Sequence, residues 1–256
     1  MKKLYLFASA VVILSILLSL GCKESNTNNT PPPPKVVLAP KSADSMAVET
    51  GIDAEDPPTN PDPLKNGILI QWYPVSHDGL RAYDVYRRMD DSTGNFQKIA
   101  EVIQPFGTRD TVYIDTTAGL DTTYLYYVRA RDEDGQEGER SRIDYYTLWP
   151  KPTLNAPTNG QEFAGIFDWS FGDLVPQHLI FRLEWGIGNQ YFPYHTGIYE
   201  LIGSVEPRQT RTLAELVPDT LRPLPAGRQY RWRIDKYDIN NNHRGSESSW
   251  EVFLVQ

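Results

Sequence analysis

The chain has 256 residues and a formal net charge of −8, with no lysine–arginine block, which sets nucleic acid aside as a partner. Its single cysteine leaves no intrachain disulfide, so the folded part must be held by its core. Tyrosine (15) far outnumbers methionine (3), and proline (20) and glycine (18) are plentiful, which is the usage of short strands and turns rather than helices.

Residues 1–21 follow the plan of an export signal. Lys2 and Lys3 start it, an apolar run from Leu4 to Leu20 is broken only by Ser9, Ser15 and Ser19, and small Gly21 closes it. A membrane-spanning helix needs about 20 apolar residues, and this run stops short at a glycine and a cysteine. Ser19-Leu20-Gly21-Cys22 resembles the lipobox of bacterial lipoproteins, with Leu18 one place early and Ser19 at the usual leucine position. The resemblance implies that Cys22 becomes the first mature residue and is acylated. That places the protein in the bacterial cell envelope, held to a membrane by lipid, with the outer membrane expected and its face left open. One acyl chain anchors only marginally, whereas two or more anchor stably.

Residues 22–35 then form a tether. "KESNTNNT" has no apolar side chain with which to offset chain entropy, and Pro31 to Pro34 make a short stiff spacer.

A first body is expected over 36–149. "GILIQWYPV", "LRAYDVYRR", "FQKIAEV", "TVYID", "TTYLYYVRARD" and "SRIDYYTL" each alternate apolar and polar residues, with turn residues between them, which argues a β-sandwich. These segments resemble a fibronectin type III domain. Trp72 stands at the core tryptophan of its second strand, Tyr83 and Val85 at its third-strand Tyr-x-Val, and Tyr124, Val128 and Ala130 at its sixth-strand signature. The resemblance implies that Tyr124 bonds back to the backbone as a tyrosine corner.

A second, more divergent body of the same all-β, immunoglobulin-like class is expected over 150–256. Tyr230 and Ile234 repeat Tyr124 and Val128 at an offset of 106 residues. Lys236 falls where Ala130 falls, so the inward face is expected to end early there. "FDWSF", "LIFRLEW", "YELIGSV" and "WEVFLV" supply further strands, and "WPKP", Trp149 to Pro152, is too short and stiff for free domain motion.

No catalytic constellation, cofactor motif or metal-ligand spacing emerges. His77, His178, His195 and His243 lack ligand spacing, and no nucleophile elbow or phosphate-cradling loop occurs. "DINNNHRG" opens like a calcium loop, yet His243 and Ser249 stand where glycine and a bidentate glutamate belong, so it reads as a turn. The acids of 53–62 (Asp53, Glu55, Asp56, Asp62) and those at Asp132, Asp134 and Glu137 read as solvated loops, with a weak cation left open.

The richest unassigned stretch is "EWGIGNQYFPYHTGIYE", Glu184 to Glu200, read as a long loop between two strands. Its Trp185, Tyr191, Phe192 and Tyr194 are the candidate ligand-binding residues, either packing the sandwich edge or forming a recognition surface. The expected function is therefore non-catalytic: binding or scaffolding of an envelope protein partner. A carbohydrate-binding accessory role is the alternative, and an enzyme with its site between the bodies is the third.

Overall fold

The computed structural model describes residues 31–256 apart from positions 58, 60, 92, 105–110 and 203–205. The export signal and Cys22 lie outside the described residues. Among those described, no helix is long and apolar enough to cross a membrane.

The first body is built from β1 (Val37–Leu38), β2 (Asp53–Glu55), β3 (Gly67–Tyr73), β4 (Leu80–Met89), β5 (Gln97–Ile103), β6 (Val112–Asp115), β7 (Thr123–Asp132) and β8 (Asp144–Leu148). Strand β3 carries β1 and β2 on one edge and β6 on the other. The facing sheet runs β5-β4-β7-β8. Period-two alternation decides which side chains point inward. Ile68, Ile70 and Trp72 meet Tyr83, Val85, Tyr126, Val128 and Ala130 in a closed core. Trp72 and Tyr83 touch edge to face at 5.3 Å. Fully burying a side chain of this size contributes roughly 1.5–3 kcal/mol.

The second body comprises β9 (Thr153–Ala156), β10 (Gln161–Glu162), β11 (Ile166–Ser170), β12 (His178–Ile187), β13 (Gln190–Glu200), β14 (Arg208–Thr212), a one-turn helix α1 (Leu213–Leu216), β15 (Arg228–Tyr237), β16 (Arg244–Glu247) and β17 (Glu251–Val255). The sheet β9-β11-β14 faces a sheet in which β13, β12 and β15 pair in succession, and β16 and β17 share the far edge of β15. Phe167, Trp169, Phe171, Phe181, Trp232 and Phe253 fill the space between the two sheets.

Two local devices recur in both bodies. The Tyr124 hydroxyl accepts the N–H of Gly119 at 3.1 Å, the expected corner. The Tyr230 hydroxyl donates at 3.5 Å to the carbonyl of Pro225, again five residues upstream. Ser141 and Ser248 repeat each other as well. Each Oγ accepts a β-strand N–H at 3.0 Å, from Val128 and Ile234 respectively, and each serine N–H donates to the carbonyl of that same residue at 2.9 Å. In the second body this serine sits where the register of β15 slips between β16 and β17. A side-chain oxygen thus supplies the acceptor that the interrupted ladder lacks.

The structure corrects four expectations. Pro33 is buried, and a Cβ on Gly138 would meet its carbonyl at 2.3 Å. The packed body therefore begins before Val36, within the stretch taken as tether. Residues 53–55 form β2 rather than a solvated loop, with Asp53 buried. The stretch Glu184 to Glu200 is a β-hairpin, β12 and β13 turning at Gly188, whose φ is +60°. Period two in that stretch was masked by Pro193 and a register shift beside Leu183 and Glu184. Finally, the inward face of β15 does not end at Ile234. Lys236 stays inside at 2% exposure, with Nζ donating to the Phe171 carbonyl at 2.6 Å and lying 5.9 Å from the Phe171 ring.

Burial without a carboxylate partner lowers the Lys236 pKa to about 8. A lysine depressed in the folded state releases its proton there first, so stability gains nothing below pH 8 and rises between about pH 8 and the unfolded value of 10.5. In urea titrations at stepped pH, wild type is expected to gain on the order of 2 kcal/mol over that window relative to Lys236→Met. Parallel curves for the two proteins would contradict the burial of a charged amine.

Candidate functional site

Two places on the folded body concentrate chemistry: the β12–β13 hairpin and the seam between the sandwiches. In the hairpin, Trp185 stands opposite Phe192, and Ile187 opposite Gln190. Trp185 also pairs with Tyr230 on β15, and Arg228 pairs with Val255 near the chain end. The hairpin turn, the start of β15 and the C-terminus thus share one end of the second sandwich. Ile187 (56%) and Phe192 (39%) are exposed there.

The four expected binding residues separate by role. The Arg228 guanidinium lies 4.4 Å over the Trp185 ring, and Phe192 packs tilted at 6.0 Å from it. Tyr191 lies under Arg231 at 4.3 Å, and Trp250 meets the same guanidinium at 4.3 Å. Arg231 is fixed by two 2.6 Å contacts to Glu184. Tyr194 turns toward the core: its hydroxyl donates to the Leu221 carbonyl at 2.9 Å, and its ring stands edge-on to Tyr230 at 5.6 Å. Phe192 is therefore the exposed member of the set, with Trp185 and Tyr191 covered by arginines. Ile187, Arg228 and Trp250 complete this surface; Ile187 lies within the quoted stretch and drew no notice there as a lone aliphatic, whereas Arg228 and Trp250 come from more than forty residues further along the chain.

The histidines are each engaged in packing. His243 stacks on Tyr145 at 4.6 Å with Nε2 3.2 Å from Asp144, and His195 Nε2 lies 3.2 Å from the Tyr199 hydroxyl. Of the acids after β7, Asp132 caps its own turn by accepting the Gln136 N–H at 2.7 Å, and Glu137 pairs with Arg129 at 2.8 Å. Asp238 accepts the Asn240 N–H at 3.0 Å, the turn geometry expected of "DINNNHRG".

The seam is the larger surprise. Strand β8 of the first sandwich pairs in parallel with β16 of the second, Thr147 with Arg244 and Leu148 with Gly245, which makes one continuous ten-stranded sheet. Asn66, fully buried before β3, reads the backbone of Glu247 both ways: Nδ2 donates to its carbonyl at 3.1 Å and Oδ1 accepts its N–H at 2.9 Å. Asp56 contacts Lys151 at 2.7 Å and accepts from Ser249 at 2.8 Å. The segment 40–52, inserted between β1 and β2, crosses onto the second sandwich. There Arg182 donates to the carbonyls of Met46 (2.7 Å) and Asp44 and to Glu49 (2.6 Å), while Arg233 reaches Glu49 at 3.0 Å and also contacts Glu247.

Asp44, Glu49 and Asp53 stand close enough to share a metal ion. Lys41 already occupies that place, its ammonium 2.6 Å from both Asp44 and Asp53. The Tyr146 hydroxyl donates to the other oxygen of Asp53 at 3.1 Å.

No protein-family model matches the chain, and no curated protein does. Among solved structures, the chicken CNTN1 FN1-FN3 domains align over 89% of this chain and 69% of theirs, at 11% identity and TM-score 0.35. A Fn3-like protein from Clostridium thermocellum aligns over 37% of this chain and 84% of its own, at 25% identity and TM-score 0.26. A structure described as a myokine aligns over 45% and 96%, at 19% identity and TM-score 0.28. The strands and their pairing themselves make the fold all-β, two β-sandwiches joined through β8 and β16.

Replacing Asn66 by alanine strands a buried N–H and a buried carbonyl on Glu247, each costing about 1–3 kcal/mol. Asn66→Ala is expected to lose about 2–4 kcal/mol in equilibrium denaturation and to unfold in two resolved calorimetric steps where wild type unfolds in one. An unchanged single transition would show that Asn66 does not couple the sandwiches.

Proposed function

We propose that this is an exported bacterial lipoprotein, acylated at Cys22, whose two fibronectin type III-like sandwiches form a stiff, non-catalytic module that presents the β12–β13 end to an envelope protein partner. In this reading the two bodies are divergent copies of one domain, and the repeated tyrosine and serine devices support that. The lipobox resemblance supports lipid attachment to an envelope membrane, with the outer membrane as the expected one.

One observation carries the proposal: the entry of the chain at Pro33 and the β12–β13 turn lie at opposite ends of the joined sheet. Pro33 packs at Gly138, in the turn after β7. Strand β8 runs away from that turn and meets β16 in parallel, and β16 and β17 continue to Val255 beside Arg228. The exposed Ile187 and Phe192 therefore stand at the end remote from the tether. An apolar patch rimmed by a stacked arginine is the composition of a protein-binding centre.

The glycan alternative requires an open aromatic face for a sugar ring. Arg228 lies over Trp185, Arg231 over Tyr191, and Tyr194 is turned to the core, so of the four candidate rings Phe192 alone is open. The geometry favours the protein partner.

The test is a detergent pull-down from the native cells. The tag belongs in the tether between Asn26 and Pro31, because Gln256 ends beside the proposed surface. Wild type is expected in the membrane fraction with a defined envelope protein, Cys22→Ala in the soluble fraction, and Ile187→Ser/Phe192→Ser at the membrane without the partner. Wild type and Cys22→Ala both soluble would refute the anchor. A glycan-array signal lost in Tyr191→Ala and Tyr194→Ala would replace the protein partner with a sugar.

A further inference from the structure

The segment 40–52 has no place in a minimal sandwich strand, yet it covers the most highly charged interior of the molecule. Three cations converge beneath it: Lys41 from the segment itself, Arg182 from β12 and Arg233 from β15. Six carboxylates face them. Asp44 and Glu49 come from the segment, Asp53 and Glu55 from β2, Asp235 from β15 and Glu247 from β16. Asp53, Asp235, Glu247, Arg182 and Arg233 are each at most 7% exposed. The side chains of Lys41, Asp44 and Glu49 are 3%, 11% and 17% exposed.

The remaining polar groups packed on this cluster add no positive charge. Tyr146 of β8 donates to Asp53 and stays neutral, with its pKa well above the ordinary value. Tyr237 of β15 faces Asp44 and is likewise raised. Asp56 is matched by Lys151, and Lys236 turns its amine away to Phe171. Charge counting thus leaves three carboxylates unmatched by cations in a space largely closed to water. Burying an unpaired carboxylate is far costlier than protonating it.

We propose that segment 40–52 is a proton-held clasp between the two sandwiches, closed while Glu49 and Glu247 retain a proton around Arg233 and loosened when that proton is lost. Glu49 is the pivot. Both Arg182 and Arg233 bind it, as they also bind Asp235, and of those two carboxylates Glu49 belongs to the segment that must lift. The electrostatics agree. Burial, then Asp53 and Asp235, push the Glu49 carboxyl up to about 8, and burial also holds Glu247 well above the carboxylate range. Asp44 is raised to about 6 by the same causes. A carboxyl raised in the closed state favours closure below its ordinary value of 4.5, and that advantage is lost as pH climbs through about 8. The clasp is therefore tight in mild acid and loose in mild alkali. This inference does not depend on the anchor or on the partner.

Hydrogen exchange of the full-length protein in detergent tests it, with amides of 40–52 followed from pH 5.5 to 9 and corrected for the intrinsic pH dependence of exchange. Amides of β7 in the first core serve as the internal reference for global opening. Wild type is expected to open segment 40–52 at least tenfold more readily at pH 9 than at pH 6, with β7 unchanged. Glu49→Gln, an uncharged isostere, is expected to keep the segment protected at both pH values. Equal protection across the range in wild type, or the same loss in Glu49→Gln, would overturn the proposal. So would recovery of protection at pH 9 on adding calcium, since a bound cation rather than a proton would then balance the cluster.

Discussion

The parallel pairing of β8 with β16 is the constraint on which the arrangement of the molecule depends. A lone sandwich of this type leaves an edge of unpaired N–H and carbonyl groups on its last strand, open to association with other chains. Here the last strand of the first body covers β16, the last strand but one of the second. Two exposed edges become the interior of one sheet. Everything else at the seam follows from that contact: Asn66 falls level with Glu247, Asp56 with Lys151, and segment 40–52 with the arginines of β12 and β15.

The contact also accounts for how the two bodies differ. Their inner faces follow one plan, with a buried tryptophan on β3 and on β11 and the tyrosine and serine devices repeated in each. Their outer faces differ where the seam requires it. In the first body, Arg131 pairs with Asp84 on the outer face, 20% exposed and near solvent. In the second, Arg182 and Arg233 sit under the inserted segment, nearly closed from water. Lys236 is a further divergence, on the inner face. It stands where the first body has Ala130, and its stem fills apolar space while its amine reaches the Phe171 carbonyl.

What the sequence disclosed and what it hid divide along a physical line. Period-two strands with aromatic anchors, such as Gly67–Tyr73 and Thr123–Asp132, are local and were legible. The Tyr124 corner was legible for the same reason, since its partner is five residues away. The clasp was not. Lys41, Asp44 and Glu49 lie in a polar stretch that reads as a loop, and Glu49 meets Arg182 across 133 residues and Arg233 across 184. The acids of β2 read as solvated because their counter-charges lie outside the strand pattern: Lys41 meets Asp53 from the inserted segment, and Arg233 faces Glu55 from the other body. The aromatic hairpin was half legible: its residues stood out by composition, but Pro193 and the shifted register hid that they form a strand, and the arginines covering two of the rings come from β15.

The strength of the seam is unevenly distributed, and this governs how a tethered module of this kind would behave. The parallel pairing spans only two residue pairs, with flanking bonds from Thr147 to the His243 carbonyl and from Trp149 to the Gly245 carbonyl. At about 1 kcal/mol net for each bond, such a ladder alone is close to the thermal limit. Asn66 adds two bonds but anchors one point. The segment 40–52 is what spans the joint, because it is fixed to β1 and β2 at its ends and gripped by two arginines in its middle. Rigidity between the tethered end and the hairpin end therefore resides in a polar, densely charged contact rather than in an apolar one. An apolar seam would be indifferent to its surroundings; this one responds to the proton concentration, because the same burial that stiffens it also decides which of its carboxylates can stay ionised.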